Sequence, residues 1–246
     1  MPLDLKKLNN ITAQVEILDC ANQKIADTNQ SGTRSVSLSE LPTYVPLAFI
    51  STEDKTFYQH FGLNYPRIIK AGIKNMLSGY AKEGASTITQ QLIKNTHLSS
   101  EKTLKRKVIE AILAINLEKR YSKSEILNTY LNAIYFGSNA FGIENASWTY
   151  FNHPASLLSI SESATLAGLI KSPKTYSPIY NYENSLNRRN FVLKEMLKEG
   201  VITEEQYSAA LSEPIKLDLK SLPKSEYFSL VIGEAMGILN LSEQDV

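Results

Sequence analysis

Two adjacent carboxylates, Glu53 and Asp54, follow an apolar segment that runs from Val45 to Ile50. A charge without a partner is heavily penalised in an apolar environment, so a chain that keeps two acids there is expected to need one of them. A carboxylate in such a place can serve as a general base that takes a proton from a hydroxyl group. The alternative, which this stretch alone leaves open, is a helix that stops at Ser51 and carries two solvated acids.

A polar stretch from Gly84 to Asn95 introduces a run of basic residues in which the only acid is Glu101. The run consists of Lys94, Lys102, Lys105, Arg106 and Lys107. Positive charge at this density can stabilise the negative charge that develops on a departing phosphate group. A solvated helix face is the ordinary explanation, but the apolar residues Val108 and Ile109 follow directly, so part of the run must lie at the edge of a buried face.

These two stretches resemble the first two signatures of glycosyltransferase family 51, which comprises the peptidoglycan glycosyltransferase domains of class A penicillin-binding proteins and their monofunctional relatives. The matching patterns are Glu53-Asp54-x-x-Phe57-x-x-His60-x-Gly62 and Gly84-x-Ser86-Thr87-Ile88-x-Gln90-Gln91-Leu92-x-Lys94-Asn95. Three later stretches are similar to further signatures of the family, and they are Arg106-Lys107-x-x-Glu110, Lys123-x-Glu125-Ile126-Leu127-x-x-Tyr130-Leu131-Asn132 and Leu166-Ala167-Gly168-Leu169-Ile170-Lys171-Ser172-Pro173, with Arg188-Arg189 beyond. The resemblance covers about Leu41 to Leu197 in unbroken order. We assign structural roles to the stretch that begins at Lys123 and to the one that begins at Leu166, together with Arg188-Arg189.

The resemblance implies polymerisation of lipid II into β-1,4 glycan strands, with inversion at the anomeric carbon and release of undecaprenyl pyrophosphate. It implies two catalytic carboxylates, Glu53 and Glu110. It also implies a set of substrate-binding residues, namely Asp54, Ser86, Thr87, Gln90, Gln91, Lys94, Asn95, Lys102, Arg106 and Lys107. We expect no metal site and no obligatory cofactor, while a divalent cation such as Mg²⁺ on the pyrophosphate stays open.

Several of these assignments have a structural alternative. Thr87 and Gln90 match a helix capping box and need do no more than cap. Arg106 and Glu110 are four residues apart on one helix, which fits an internal ion pair equally well. For the whole chain the alternatives are a lysozyme-like glycan hydrolase, which needs an acid for its sugar leaving group, and an inactive module that binds lipid-linked precursor.

The fold class predicted is mainly α, a lysozyme-like two-lobed helical domain with a small N-terminal β-rich element. Short β-branched runs predict a hairpin about Asp19–Asn22 and a third strand at Ser35–Leu38, within an N-terminal segment of residues 1–39. Capping boxes predict four helix starts, at Thr87, Ser122, Ser159 and Thr203. We expect the glycosyltransferase domain at 40–213, a small mobile lobe at about 63–83, and at 214–246 a linker toward a domain absent from this chain.

Composition restricts the partners. A net charge of +1 argues against nucleic-acid binding, and the single cysteine, Cys20, excludes an internal disulfide and a cysteine metal cluster. No run of about 18 apolar residues occurs, although the family normally carries an N-terminal membrane anchor, so we expect a truncated form or a gene fragment. The amphipathic stretch from Tyr65 to Tyr80 fits either a membrane interface or an ordinary core-facing helix. The expected partners are lipid II, the lipid-linked glycan, the outer face of the bacterial cytoplasmic membrane and cell-wall synthesis proteins.

Overall fold

Helices make up most of the computed structural model, which describes residues 16–18, 24–27, 35–78, 85–97 and 103–219. Within these ranges the α-helices are α1 Tyr44–Glu53, α2 Tyr65–Ser78, α3 Ile88–His97, α4 Leu104–Glu118, α5 Lys123–Ala133, α6 Ile143–Phe151, α7 Ile160–Leu169, α8 Pro173–Tyr176, α9 Tyr182–Lys198 and α10 Glu204–Ser212. Two short 3₁₀ helices, Leu38–Glu40 and Ala155–Leu157, complete the helical elements of the described chain. The predicted mainly α class is confirmed.

The described strands are β1 Glu16–Leu18 and β2 Lys24–Asp27, which pair antiparallel with Ile17 opposite Ala26. The turn predicted between them lies outside the described residues, and a β-rich N-terminal element beyond this pair stays a prediction. The third predicted strand is wrong. Ser37 instead caps the 3₁₀ helix Leu38–Glu40, and the main-chain amide of Val36 donates to Asn132 Oδ1 on α5 at 2.9 Å.

All four predicted capping boxes are present in the structure. At the start of α3, Thr87 N donates to Gln90 Oε1 and Gln90 N donates to Thr87 Oγ1, both at 3.1 Å. The same reciprocal pair closes the starts of α5, α7 and α10. These local bonds satisfy backbone amides that have no partner within the helix, which is why the helix starts could be predicted from sequence.

The core forms around α7, which is buried along most of its length. Its small residues let α9 approach closely, since a Cβ placed on Gly168 would lie 3.0 Å from Cγ of Arg188. Helix α9 also packs against α1 and α10, while α3 packs against α4 and α5. The C-terminal ends of α1 and of α7 and the start of α3 are thereby held in fixed relation.

Helix α2 behaves differently, because Ala71 is its only buried side chain among those described. Ile69, Ile73 and Met76 are exposed by 63%, 53% and 78%, so the described part of the apolar stripe does not face the core. In the part of the chain that the structure describes, none of the helices combines the length and apolar character that crossing a bilayer requires.

The residues after α10 remain on the body of the protein. The amide of Ile215 donates to the hydroxyl of Tyr182 at 3.2 Å, and that of Asp218 donates to the carbonyl of Tyr150 at 3.0 Å. The rest of the predicted linker, residues 220–246, lies outside the described residues.

Gly62 should be a strong determinant of stability, because it lies where the first signature crosses α4. Its φ is +82°, and a Cβ there would lie 2.9 Å from backbone atoms of Ala114 and Ile115. Gly62→Ala is expected to lower the free energy of unfolding by about 2 kcal/mol or more in urea titrations.

Gly72→Ala is the matched control, since a Cβ on Gly72 in α2 would meet nothing within 4 Å. This variant should be neutral or gain up to about 1 kcal/mol from better helix propensity. Equal effects of the two substitutions would show that the close crossing at Gly62 does not matter for stability.

Candidate active site

A groove with a volume of about 450 Å³ lies between the end of α1, the start of α3 and the start of α8. Seven of the predicted site residues line it, namely Glu53, Ser86, Gln90, Gln91, Lys94, Asn95 and Glu110. The remaining lining residues are Ile134, Tyr135, Ile170, Lys171 and Pro173. A carboxylate and an ammonium group from separate helices therefore share one opening.

Glu53 is the last residue of α1, and its side chain is 16% exposed. Gln91 Nε2 donates to Glu53 Oε2 at 2.7 Å, and Arg67 donates to the Glu53 main-chain carbonyl. The carboxylate is therefore anchored at one oxygen and open to the groove, an arrangement that suits proton transfer to or from a bound molecule.

Asp54, in contrast, is fully buried and does not line the groove. Its Oδ2 accepts hydrogen bonds from His60 Nε2 at 2.8 Å and from the amide of Ile88 at 3.1 Å. Asp54 thereby joins the end of α1 to the first turn of α3. A substrate contact, which the resemblance implies for Asp54, is not what this position supports.

The buried network continues from His60 to α4 and α5. Lys123 Nζ lies 3.4 Å from His60 Nδ1, 2.7 Å from Glu118 Oε1 and 4.4 Å from the Phe57 ring centroid. A lysine ammonium can only donate, so His60 Nδ1 must accept and the proton resides on Nε2, facing Asp54. The first signature is thus connected through His60 and Lys123 to α4 and α5.

Glu110 is 1% exposed, and its oxygens are held by several donors. Arg106 Nη1 lies 3.4 Å from Oε2, Gln90 Nε2 donates to Oε1 at 3.2 Å, and Lys107 also binds Oε1. Lys107 Nζ donates in addition to Ser86 Oγ at 2.7 Å. The internal ion pair that the sequence left open is therefore present, and it occupies two of the predicted cations.

Of the remaining predicted residues, the structure describes Thr87, Lys94 and Asn95. Thr87 is buried and donates to the carbonyl of Gly62 at 2.7 Å, so it acts as a cap and a brace. Lys94 and Asn95 are exposed on the groove, and Lys94 makes no ion pair with any residue that the structure describes. Lys102 lies outside the described residues.

Two basic residues at the groove were missed by the sequence analysis, which gave their segments structural roles. Lys171 lines the groove directly. Arg188 is 9% exposed, with Nη2 3.9 Å from Glu53 Oε1, and its guanidinium stacks on Phe191 at 4.8 Å and on Tyr176 at 5.7 Å. Burial lowers the pKa of Arg188, while the charge of Glu53 opposes that shift, and arginine stays protonated. The adjacent arginines at 188 and 189 were the available signal.

Among the described residues, no three His, Cys, Asp or Glu side chains are grouped so as to hold a metal ion. A divalent cation that binds with the pyrophosphate stays a prediction.

Comparison with known proteins extends the resemblance over most of the chain. A family model described as Transglycosylase matches residues 21–197. Penicillin-binding protein 1A of Aquifex aeolicus is 46% identical over 194 residues, which is 78% of this chain and 27% of that protein. Penicillin-binding protein 1F of Bacillus subtilis is 38% identical over 99% of this chain and 35% of its own length.

This chain spans about a quarter to a third of the length of these relatives. A crystal structure of penicillin-binding protein 1A from Haemophilus influenzae aligns with a TM-score of 0.45 at 23% identity, covering 95% of this chain and 26% of that one. The extent of the family match and the identity to curated relatives agree with the sequence signatures, several of whose residues line the groove. The chain therefore belongs to the transglycosylase family, glycosyltransferase family 51.

Proposed function

We propose that this chain is a peptidoglycan glycosyltransferase that polymerises lipid II into β-1,4 glycan strands and releases undecaprenyl pyrophosphate. The observation that carries the proposal is that Glu53 and Lys94 line one groove without pairing with each other. A base and a cation at separate positions fit a reaction in which a hydroxyl is deprotonated and an anionic group departs.

Glu53 acts on the acceptor sugar. Its carboxylate takes the proton of the 4-hydroxyl as the oxygen forms a bond to the anomeric carbon of the donor. The bond between that carbon and the pyrophosphate oxygen breaks, and its electron pair leaves with the pyrophosphate. Attack from the face opposite the leaving group inverts the configuration from α to β.

Lys94 and Lys171, which both line the groove, stabilise the negative charge of the departing pyrophosphate. The resemblance adds Lys102 to this group. Arg106 and Lys107 contact Glu110, and Lys107 also donates to Ser86, so the anion competes with Glu110 for these two cations. Two further polar residues of the groove, Gln90 and Asn95, donate hydrogen bonds to the sugar or phosphate oxygens. No obligatory metal is invoked, and a divalent cation could accompany the pyrophosphate.

Hydrolysis of glycan is the alternative that the groove supports less well. Expulsion of a sugar oxygen requires a carboxylic acid proton. Both oxygens of Glu110 accept hydrogen bonds from donors, two of which are cations, so Glu110 is placed as an acceptor rather than as a proton donor. A catalytically silent module would also have no need for a carboxylate anchored at the groove.

A lipid surface is the proposed location, at the outer face of the bacterial cytoplasmic membrane. Large apolar side chains of two helices are exposed, namely Ile69, Ile73 and Met76 of α2 and Leu104, Val108 and Ile112 of α4. Lys70 and Lys74 lie on α2 among them. An apolar face with flanking basic residues suits the interface of an anionic bilayer, where the lipid tail of the substrate resides.

We further propose a two-lobed, lysozyme-like arrangement in which α2 and its neighbours, about residues 63–83, form the small lobe. The absence of buried side chains on α2 other than Ala71, among those described, supports a segment that can move against the body. The glycosyltransferase domain then comprises residues 40–213, between a β-rich N-terminal segment and a C-terminal linker.

Glu53→Gln should reduce glycan polymerisation from lipid II by at least about 100-fold, because the amide cannot accept the hydroxyl proton. Strand formation can be followed by gel separation of labelled glycan, with the fold checked by circular dichroism. Glu205→Gln, at an exposed glutamate of α10, is the control and should keep wild-type turnover. Near-normal turnover in Glu53→Gln would remove Glu53 as the base.

Lys94→Ala should lower kcat/KM for the pyrophosphate-linked donor by about 100-fold, because one of the charges that stabilise the leaving group is lost. Lys119→Ala, at an exposed lysine just after α4, is the matched control. Unchanged kinetics in Lys94→Ala would return this residue to a solvated surface role.

The product should be a β-linked polymer, with one lipid pyrophosphate released for each new linkage. Mass spectrometry and cleavage by a β-specific muramidase would establish the linkage. Incubation with purified cell wall should yield no fragments, and release of fragments without polymer formation would favour the hydrolase instead.

A further inference from the structure

Tyr130 lies behind the groove and is connected to Glu53 through one intervening side chain. Its hydroxyl on α5 donates to Gln91 Oε1 on α3 at 3.0 Å. Gln91 Nε2 then donates to Glu53 Oε2 at the end of α1 at 2.7 Å. Three helices thereby contribute to one chain of hydrogen bonds that ends on the groove carboxylate.

The chemistry of these groups fixes which one donates and which one accepts in each hydrogen bond. A carboxylate can only accept, so the Gln91 amide must turn its nitrogen toward Glu53 and its oxygen toward Tyr130. The phenol satisfies that oxygen by donating. Burial, and next the negative charges of Glu53 and Asp54, raise the pKa of Tyr130 well above its usual value, so the donor proton is retained.

Loss of the Tyr130 hydroxyl would remove the hydrogen bond that holds the Gln91 side-chain amide in this orientation. A flipped amide would place its oxygen about 2.7 Å from Glu53 Oε2, where two acceptors repel each other. The other charged group close to the Glu53 side chain, Arg188, lies 3.9 Å from the opposite oxygen and does not hold Oε2. Asp54 is turned away into its buried network with His60.

We propose that Tyr130 is a positioning residue, which acts through Gln91 to hold the Glu53 carboxylate in the orientation that receives the acceptor's proton. This inference rests on the proposed function, because the proton transfer to Glu53 is a step of that reaction. The hydrogen bonds themselves do not depend on substrate. From sequence, Tyr130 belongs to a stretch to which only a structural role was assigned.

Tyr130→Phe removes only the hydroxyl. The expected result is a fall in kcat of about 10- to 100-fold, of the size that misaligned reacting groups cause, with KM for lipid II within about twofold of wild type. Tyr150→Phe is the matched control, because Tyr150 is also fully buried and donates its hydroxyl to the carbonyl of Phe136 at 2.9 Å. The control should lose stability to a similar extent and keep its kcat.

A double-mutant cycle separates positioning from general destabilisation. If Tyr130 acts through Gln91, then Tyr130→Phe should add nothing to the kcat loss of Gln91→Leu. Multiplicative losses in the double variant would overturn the proposal, as would a Tyr130→Phe enzyme with the kcat of wild type.

A measurement without substrate distinguishes this inference from the proposed function. The side-chain amide resonances of Gln91, assigned by their loss in Gln91→Leu, should show slowed proton exchange in the wild-type protein and fast exchange in Tyr130→Phe. Slow exchange in both proteins would refute the positioning role even where polymerisation is confirmed. If wild-type protein makes no glycan but the exchange difference is found, the proposed function fails while the hydrogen-bonded chain stands.

Discussion

The groove must hold charges of opposite sign that do not neutralise one another. Its acids and bases lie on neighbouring helices, and flexible side chains of this kind would pair readily if nothing prevented it. The other charged side chains at this end of the groove are paired with one another. Glu110 takes Arg106 and Lys107, which leaves Glu53 with a neutral amide as its closest partner and Lys94 without a carboxylate among the described residues. Arg188 lies 3.9 Å from Glu53, which is beyond hydrogen-bond distance. It therefore contributes a nearby positive charge without binding the carboxylate.

A second set of ionisable side chains, buried or partly buried, keeps the helices that carry these groups in place. Asp54, His60, Lys123 and Glu118 connect α1, α4 and α5, and Asp54 also binds the first turn of α3. Buried ionic groups are costly to desolvate and rarely justified by stability alone. Here they fix the end of α1 against the start of α3, so that Glu53 and Gln91 meet at hydrogen-bond distance. Loss of one member would leave its partners charged and unsatisfied, with a cost to site geometry as well as to folding.

Local signals in the sequence predicted what local interactions determine. The capping boxes at Thr87, Ser122, Ser159 and Thr203 involve residues three positions apart, so their pattern is visible in the chain itself. Residue type also indicated the charged groups of the groove, since Glu53 and Lys94, both singled out from sequence, line it. The helical class followed from the same patterns.

The features that local patterns did not predict depend on contacts between residues far apart in the sequence. The segment at Ser35–Leu38 alternates like a strand, but Asn132 of a distant helix and the cap by Ser37 hold it otherwise. Arg188 packs closely over Gly168 of another helix and lies 3.9 Å from Glu53 of a third. The buried Asp54 has its partners in the amide of Ile88 on α3 and in the His60 ring, and spacing along the chain reveals neither contact.

Glu53 and Lys94 are proposed to act on opposite sides of the donor's anomeric carbon, Glu53 where the new bond forms and Lys94 where the bond to the pyrophosphate breaks. A crystal structure with an unreactive lipid pyrophosphate donor, in which a methylene group replaces the oxygen at the anomeric carbon, tests this arrangement directly. The pyrophosphate should lie within hydrogen-bond distance of Lys94, with the anomeric carbon between it and Glu53. A pyrophosphate bound away from Lys94, or a donor sugar on the side of Lys94 remote from Glu53, would contradict it.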